Sequence, residues 1–71
     1  MNYYVLFVNE ALYGNEWVIN FGDYSRERVQ EEREDMMHGA GNHRSKDLRI
    51  INTKSDMQDD IMAHLDVLNG H

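Results

Sequence analysis

The pattern of apolar and polar residues along the chain predicts three short strands. Tyr3–Val8, Trp17–Phe21 and Leu48–Asn52 are runs rich in aromatic and branched side chains, and each is too short for most helices. In the second run, residues 17, 19 and 21 are predicted to share one face of a strand, with residues 18 and 20 on the other.

A turn signal lies between the first two runs. Gly14-Asn15 is a favourable two-residue hairpin turn, because glycine adopts the positive φ that such turns need. The first two strands are therefore predicted to pair antiparallel. The pattern leaves open whether residues 9–13 form a longer loop or continue the first strand.

The segment Ser25–His38 is predicted to form a first, highly charged helix. Asp23 or Ser25 can cap its N-terminus, Glu27 lies in the first turn where the helix dipole favours an acid, and Gly39 can end it. Residues 39–46 are then predicted to form a loop. It contains the one locally basic patch of the chain, formed by His43, Arg44 and Lys46.

A second helix is predicted after a capping-box pattern, Ser55-Asp-Met-Gln58, in which two free backbone N–H groups would be satisfied. Its core-facing stripe has the spacing of an amphipathic helix, and Asn69-Gly70 can end it. The stripe is formed by Met57, Ile61, Leu65 and Leu68.

The resulting order, β-β-α-β-α, predicts one α/β domain of the α+β two-layer type over residues 1–71. We expect a three-stranded mixed sheet with both helices packed on one face, the third strand running parallel to the second. Strand order 3-1-2 is favoured, and order 1-2-3 is the alternative.

With both helices on one face, the other face of the sheet would be bare, although the first strand is apolar on both sides. Leaving several apolar side chains exposed to water would reduce the stability of the fold by several kcal/mol. This face is therefore predicted to pack against a second copy of the chain or a hydrophobic partner groove. The predicted apolar interface consists of Tyr4, Leu6, Val8, Val18 and Ile51.

Charge indicates the kind of partner. Seven Lys and Arg against 13 Asp and Glu give a net charge of −6, which disfavours direct binding to nucleic acid or an anionic membrane and favours basic proteins. The apolar start of the chain is too short to span a bilayer and lacks a basic leader, and the chain has no Cys. These features predict a cytoplasmic protein.

The acidic residues follow a pattern on both helices. In the first helix three of them share one narrow arc with a fourth beside it, and the second helix carries aspartates with no Lys or Arg between them. Both helices are predicted to turn these acids outward together. The predicted partner-binding residues are Glu27, Glu31, Glu34, Asp35, Asp56, Asp59, Asp60 and Asp66.

No catalytic, cofactor or metal pattern is evident. Asp60 and His64 lie one helical turn apart and could act together as a general base. A histidine beside an apolar stripe is, however, more often packed in the core. The four histidines, at positions 38, 43, 64 and 71, match no closed zinc spacing, and the aspartates lack the spacing of a calcium loop. We therefore expect a non-enzyme without cofactor or metal.

Together these features predict a small acidic protein-binding module. We expect an inhibitor or decoy whose carboxylates imitate phosphates and occupy a basic, nucleic-acid-binding surface of a larger protein. In size and acidity the chain resembles the small inhibitors that mobile genetic elements direct against host nucleic-acid machinery, a likeness of class without a shared motif. The alternative is a homodimeric adaptor or structural module that acts through the apolar sheet face, with the acids serving solubility.

Overall fold

The computed structural model describes residues 2–10, 14, 16–39 and 43–70. It confirms the α+β class and the predicted element order. A short 3-10 turn, Ser45–Asp47, precedes the third strand. The strands and helices are β1 (Tyr4–Glu10), β2 (Glu16–Asp23), α1 (Arg26–His38), β3 (Leu48–Asn52) and α2 (Gln58–Leu68).

The three strands form one sheet in the order β2-β1-β3, which confirms the favoured prediction. The central strand β1 pairs antiparallel with both neighbours. As predicted, β3 runs in the same direction as β2. Because β1 lies between them, however, every pair in the sheet is antiparallel, and the description of the sheet as mixed was wrong.

The connection between β1 and β2 is longer than the predicted two-residue turn. Glu10 pairs with Glu16, so residues 11–15 form the connection and β1 continues past Val8. Gly14 has the predicted positive φ, +76°. Asn15 and residues 11–13 lie outside the described residues.

The two helices cover opposite faces of the sheet. Leu6 and Val8 of β1 pack in one cluster with Val29 of α1, whereas Val5 and Phe7 pack in a second cluster with Ile61 of α2. Successive side chains of a strand point to opposite faces, so the two clusters lie on the two sides of the sheet. The prediction of two layers with both helices on one face was wrong, and the fold has three layers.

The physical reason is that only α1 is a crossover. It connects two strands of equal direction, and the preference for right-handed crossovers applies to such a connection. The helix α2 follows the last strand, so no later strand restricts the face on which it packs. The apolar second side of β1 decides its position instead: all four residues from Val5 to Val8 are at most 1% exposed.

A β-bulge changes which side chains of β2 share a face. The register shifts so that Leu6 pairs with Phe21 but Phe7 pairs with Ile19, which leaves Asn20 as the extra residue. Phe21 therefore packs with Val18 on the α1 side, while Trp17 packs on the α2 side. The strict alternation predicted for residues 17, 19 and 21 was wrong.

The ends of the helices agree with the sequence pattern at three of four sites. Ser25 caps α1, its Oγ accepting a hydrogen bond from the Arg28 backbone N–H at 3.4 Å, and α1 ends at Gly39. Helix α2 ends at Asn69.

The start of α2 differs from the predicted capping box. Ser55 Oγ accepts from the Met57 N–H at 3.0 Å, in a turn that precedes the helix, and Met57 itself is the N-cap without a side-chain bond. Met57 is consequently 63% exposed, and its assignment to the core stripe was wrong. Ile61, Leu65 and Leu68 do pack on the sheet, as predicted.

The side chain of Asn69 fixes the end of α2 to the edge of β2. Its Oδ1 accepts a hydrogen bond from the Trp17 N–H at 2.7 Å, and its Nδ2 donates to the Trp17 carbonyl at 3.1 Å. One amide thus satisfies both outward backbone groups of an edge residue, as a neighbouring strand would.

Replacing Asn69 with alanine should lower the free energy of unfolding by about 1–2 kcal/mol, because it leaves both partly buried Trp17 backbone groups without their partner. Urea denaturation followed by Trp17 fluorescence measures this. Gln58→Ala, at the exposed start of α2, is the control and should change stability by less than about 0.5 kcal/mol. Equal effects of the two substitutions would show that the Asn69 contacts contribute nothing.

Candidate functional site

The helix α1 is held on the sheet by few apolar contacts. Val29 is its only fully buried residue, and the half-buried Met36 and Met37 complete its contact with the core. Asp23 supports the start of the helix, since its Oδ1 accepts the Ser25 N–H at 2.7 Å. The remaining surface of the helix is free to carry charge.

Apart from half-buried Glu32, the acids of α1 lie on the side opposite to this contact. At about 100° per residue, they fall within an arc of about 100° whose centre is roughly opposite Val29. No Lys or Arg of the helix falls inside this arc, which also contains His38. All four acids are exposed, and we call this set the acidic arc: Glu27, Glu31, Glu34 and Asp35.

Two open depressions flank the acidic arc. The larger, of about 510 Å³, lies between α1 and the end of β2, and the smaller has a volume of about 210 Å³. Glu27 and Glu31 line both, so they form a ridge between them. The larger depression is lined by Phe21, Ser25, Glu27, Arg28, Glu31, Glu32 and Asp35, and the smaller by Glu27, Gln30, Glu31 and Glu34.

The larger depression combines four carboxylates with one guanidinium and an aromatic ring. Carboxylates accept hydrogen bonds from a guanidinium or ammonium group, and an aromatic face adds cation–π attraction. This chemistry suits a basic side chain from a partner.

The sequence pattern identified the acids but not the aromatic residue that lines this depression. Phe21 faces α1 only because of the bulge at Asn20, which strict alternation does not reveal. Half-buried Glu32 was also missing from the predicted site. It could have been found from its position one residue after Glu31 on the flank nearer the sheet.

The predicted acidic residues do not form one surface. Asp59, Asp60 and Asp66 are exposed on α2, which covers the face of the sheet opposite to α1. Asp56 lies before α2. The expectation that both helices turn their acids outward together was wrong, because it depended on both helices lying on one face.

Asp56 also has a partner within the chain. Its carboxylate accepts a hydrogen bond from the Tyr24 hydroxyl, and the Tyr24 ring meets Tyr3 edge to face, with ring centroids 4.8 Å apart. These contacts connect the segment before α2 to the end of β2. They give Asp56 a structural role within the fold.

The predicted apolar interface is not a bare surface either. Leu6 and Val8 are fully buried beneath α1, and half-buried Tyr4 and Val18 pack in the same cluster. Ile51 packs on the other face, against the α2 cluster. The premise of an uncovered sheet face, on which a dimer through these residues depended, was wrong.

Other kinds of site have little support among the described residues. They contain no group of three or more His, Asp or Glu arranged to hold a metal ion, and His71 lies outside them. His64 is half-buried on α2. No helix in the described ranges combines the length and apolarity needed to cross a bilayer.

Comparison with protein-family models, curated proteins and solved structures finds no match for this chain. What the protein does is therefore inferred from its own surface chemistry.

The contact between Tyr24 and Asp56 predicts an alkaline titration. The hydrogen bond to the Asp56 carboxylate is the main cause that raises the pKa of Tyr24 above its ordinary value, and desolvation is the second cause. A raised folded-state pKa means that the contact stabilises the fold at neutral pH, and that this contribution is lost as the pH rises through the folded-state pKa. Asp56→Asn should move the pKa of Tyr24 back towards its ordinary value.

Phenolate absorbance during a pH titration measures this effect, with Tyr24→Phe to assign the signal. Asp59→Asn serves as the control, because it removes an equal charge from the surface of α2. An unchanged pKa of Tyr24 in Asp56→Asn would show that the contact does not form.

Proposed function

We propose that this protein is a small acidic protein-binding module whose acidic arc occupies a basic, nucleic-acid-binding surface of a larger protein. It would act as an inhibitor or decoy that keeps nucleic acid from that surface. The arc on α1 is the proposed contact, and the aspartates of α2 face the other side of the molecule.

The observation that carries this proposal is the spacing of exposed carboxylates along one side of α1. From Glu27 to Asp35 the helix rises about 12 Å, so the four acids of the arc have a mean axial spacing of about 4 Å. Phosphates along one strand of duplex DNA are spaced by about 3.4 Å. A groove that binds a phosphate backbone can therefore meet carboxylates at a similar interval.

The depression beside the arc adds to this support. A ridge of carboxylates between two depressions can contact basic side chains from both sides. Phe21 lines the larger depression and can add cation–π attraction to a basic side chain bound there. Complementary charge also accelerates association, so such a module would compete with nucleic acid for the same surface.

The alternative, a homodimeric adaptor that acts through the sheet, required one face of the sheet to be uncovered. Within the described residues, β1 is covered on one side by α1 and on the other by α2. The acidic arc is left as the surface with the most distinctive chemistry.

The proposal predicts that only one of two equal charge changes affects binding. The triple variant Glu27→Gln, Glu31→Gln and Glu34→Gln removes three charges from the arc, and Asp59→Asn, Asp60→Asn and Asp66→Asn removes three from α2. Both sets are exposed, so neither should change stability by more than about 1 kcal/mol. We expect capture of partners from the native cell to fall at least about tenfold in the first variant alone.

Capture on immobilised protein, followed by mass spectrometry, provides the measurement. The partners should include nucleic-acid-binding proteins, duplex DNA should displace them, and raising the salt concentration should weaken capture steeply. Equal capture by the two triple variants, or partners that DNA does not displace, would contradict the proposed function.

A further inference from the structure

β3 is an edge strand, and among the described residues no other strand pairs with its outer side. In an antiparallel pair, residues alternate between those whose backbone groups face the partner strand and those whose groups face away. The Thr53 N–H donates to the Tyr3 carbonyl at 2.9 Å, so the backbone groups of Thr53 face β1. Counting back from Thr53, every second residue faces β1 as well. Arg49 and Ile51 therefore face β1, and Leu48, Ile50 and Asn52 turn their backbone groups outward.

These outward groups have little to bind within the described part of the chain. The Leu48 N–H donates to the Ser45 carbonyl, but β3 is the last strand of the sheet, and no described residue pairs with Ile50 or Asn52 on the outer side. The other edge of the sheet differs, because Asn69 occupies the outward groups of Trp17. Asn69 thus closes one position of the β2 edge, and the Ile50 and Asn52 positions of the β3 edge can accept a strand.

The outer edge of β3 is also the basic part of an acidic chain. Four of the seven Lys and Arg residues lie between positions 44 and 54, where Asp47 is the single acid. Arg44 and Lys46 precede β3 and Lys54 follows it, and all three are exposed. The Arg49 guanidinium turns the other way, across the sheet, and lies 5.2 Å from the centre of the Trp17 ring.

This charge distribution selects the kind of strand that fits. If two copies paired antiparallel about Ile50, Lys46 of each copy would lie opposite Lys54 of the other, and like charges in such positions repel. Basic residues on an edge strand discourage pairing between copies in this way. A strand with acidic residues near both ends would instead find a cation beside each end.

We propose that the outer edge of β3 binds an extended acidic segment of a partner protein, which adds to the sheet as a fourth strand. The outward groups of Ile50 and Asn52 supply main-chain hydrogen bonds, and the flanking cations supply the preference for acid. This surface is separate from the acidic arc, so its failure leaves the proposed function untouched.

Hydrogen exchange of individual amides tests the proposal in two steps. In dilute protein, the amides of Ile50 and Asn52 should exchange at least about tenfold faster than those of Arg49 and Ile51, which bond to β1. Equal protection of all four amides would show that the edge is closed and would overturn the proposal.

The second step adds synthetic peptides of about nine residues, with Glu and Asp at both ends and alternating Val and Thr between them. A saturating concentration should slow exchange at Ile50 and Asn52 at least about tenfold. Lys46→Glu should weaken this peptide about fivefold, whereas Arg26→Glu, the same charge change at an exposed site on α1, should not.

Four results would overturn the proposal. They are no slowing at about 1 mM peptide, equal binding of a peptide with Lys in place of the acids, the same protection from single-stranded oligothymidylate, and protection that rises with protein concentration without peptide. The last two would assign the edge to nucleic acid or to a second copy.

Discussion

Burial of β1 on both of its faces is the constraint on which the rest of the molecule depends. Val5 to Val8 are at most 1% exposed, although adjacent residues of a strand point to opposite sides. Burying such side chains contributes about 1.5–3 kcal/mol each, so leaving one face open would forfeit about 3–6 kcal/mol. A domain of 71 residues has a net stability of about 4–10 kcal/mol, so neither helix is dispensable.

Covering both faces divides the acidic surface. The carboxylates of α1 and α2 point away from opposite sides of one sheet, so they cannot engage one flat partner together. The dense row of carboxylates is confined to α1, which packs on the sheet through buried Val29 and half-buried Met36 and Met37. A charged helix of this kind gains most of its stability from packing, and its solvent side can be given to recognition at little cost.

Local features of the chain were predictable where they follow from local chemistry. The strands, the cap at Ser25 and the C-terminal ends of both helices depend on residues within a few positions. The observed strand order was the favoured one of two alternatives. The face chosen by α2 was not predictable in this way, because no strand follows it. The continuous apolar run of β1 did contain the answer, since both of its sides require cover.

The remaining differences also have physical causes. A bulge such as that at Asn20 adds one residue without changing composition, so the sequence pattern gives no warning that Phe21 turns towards α1. Ser55 bonds to Met57 in a turn rather than to the third residue of a helix, and the capping pattern is compatible with both. The acids of the candidate site were visible in the sequence, whereas their division between two faces was a property of the tertiary fold.

Nuclear Overhauser contacts from β1 test most directly whether one helix covers each side of the strand. In a sample that sediments as a monomer, protons of Leu6 should contact Val29 of α1, and the ring of Phe7 should contact Ile61 of α2. Contacts from both helices to side chains on the same side of β1 would contradict the three-layer fold and restore a single acidic surface.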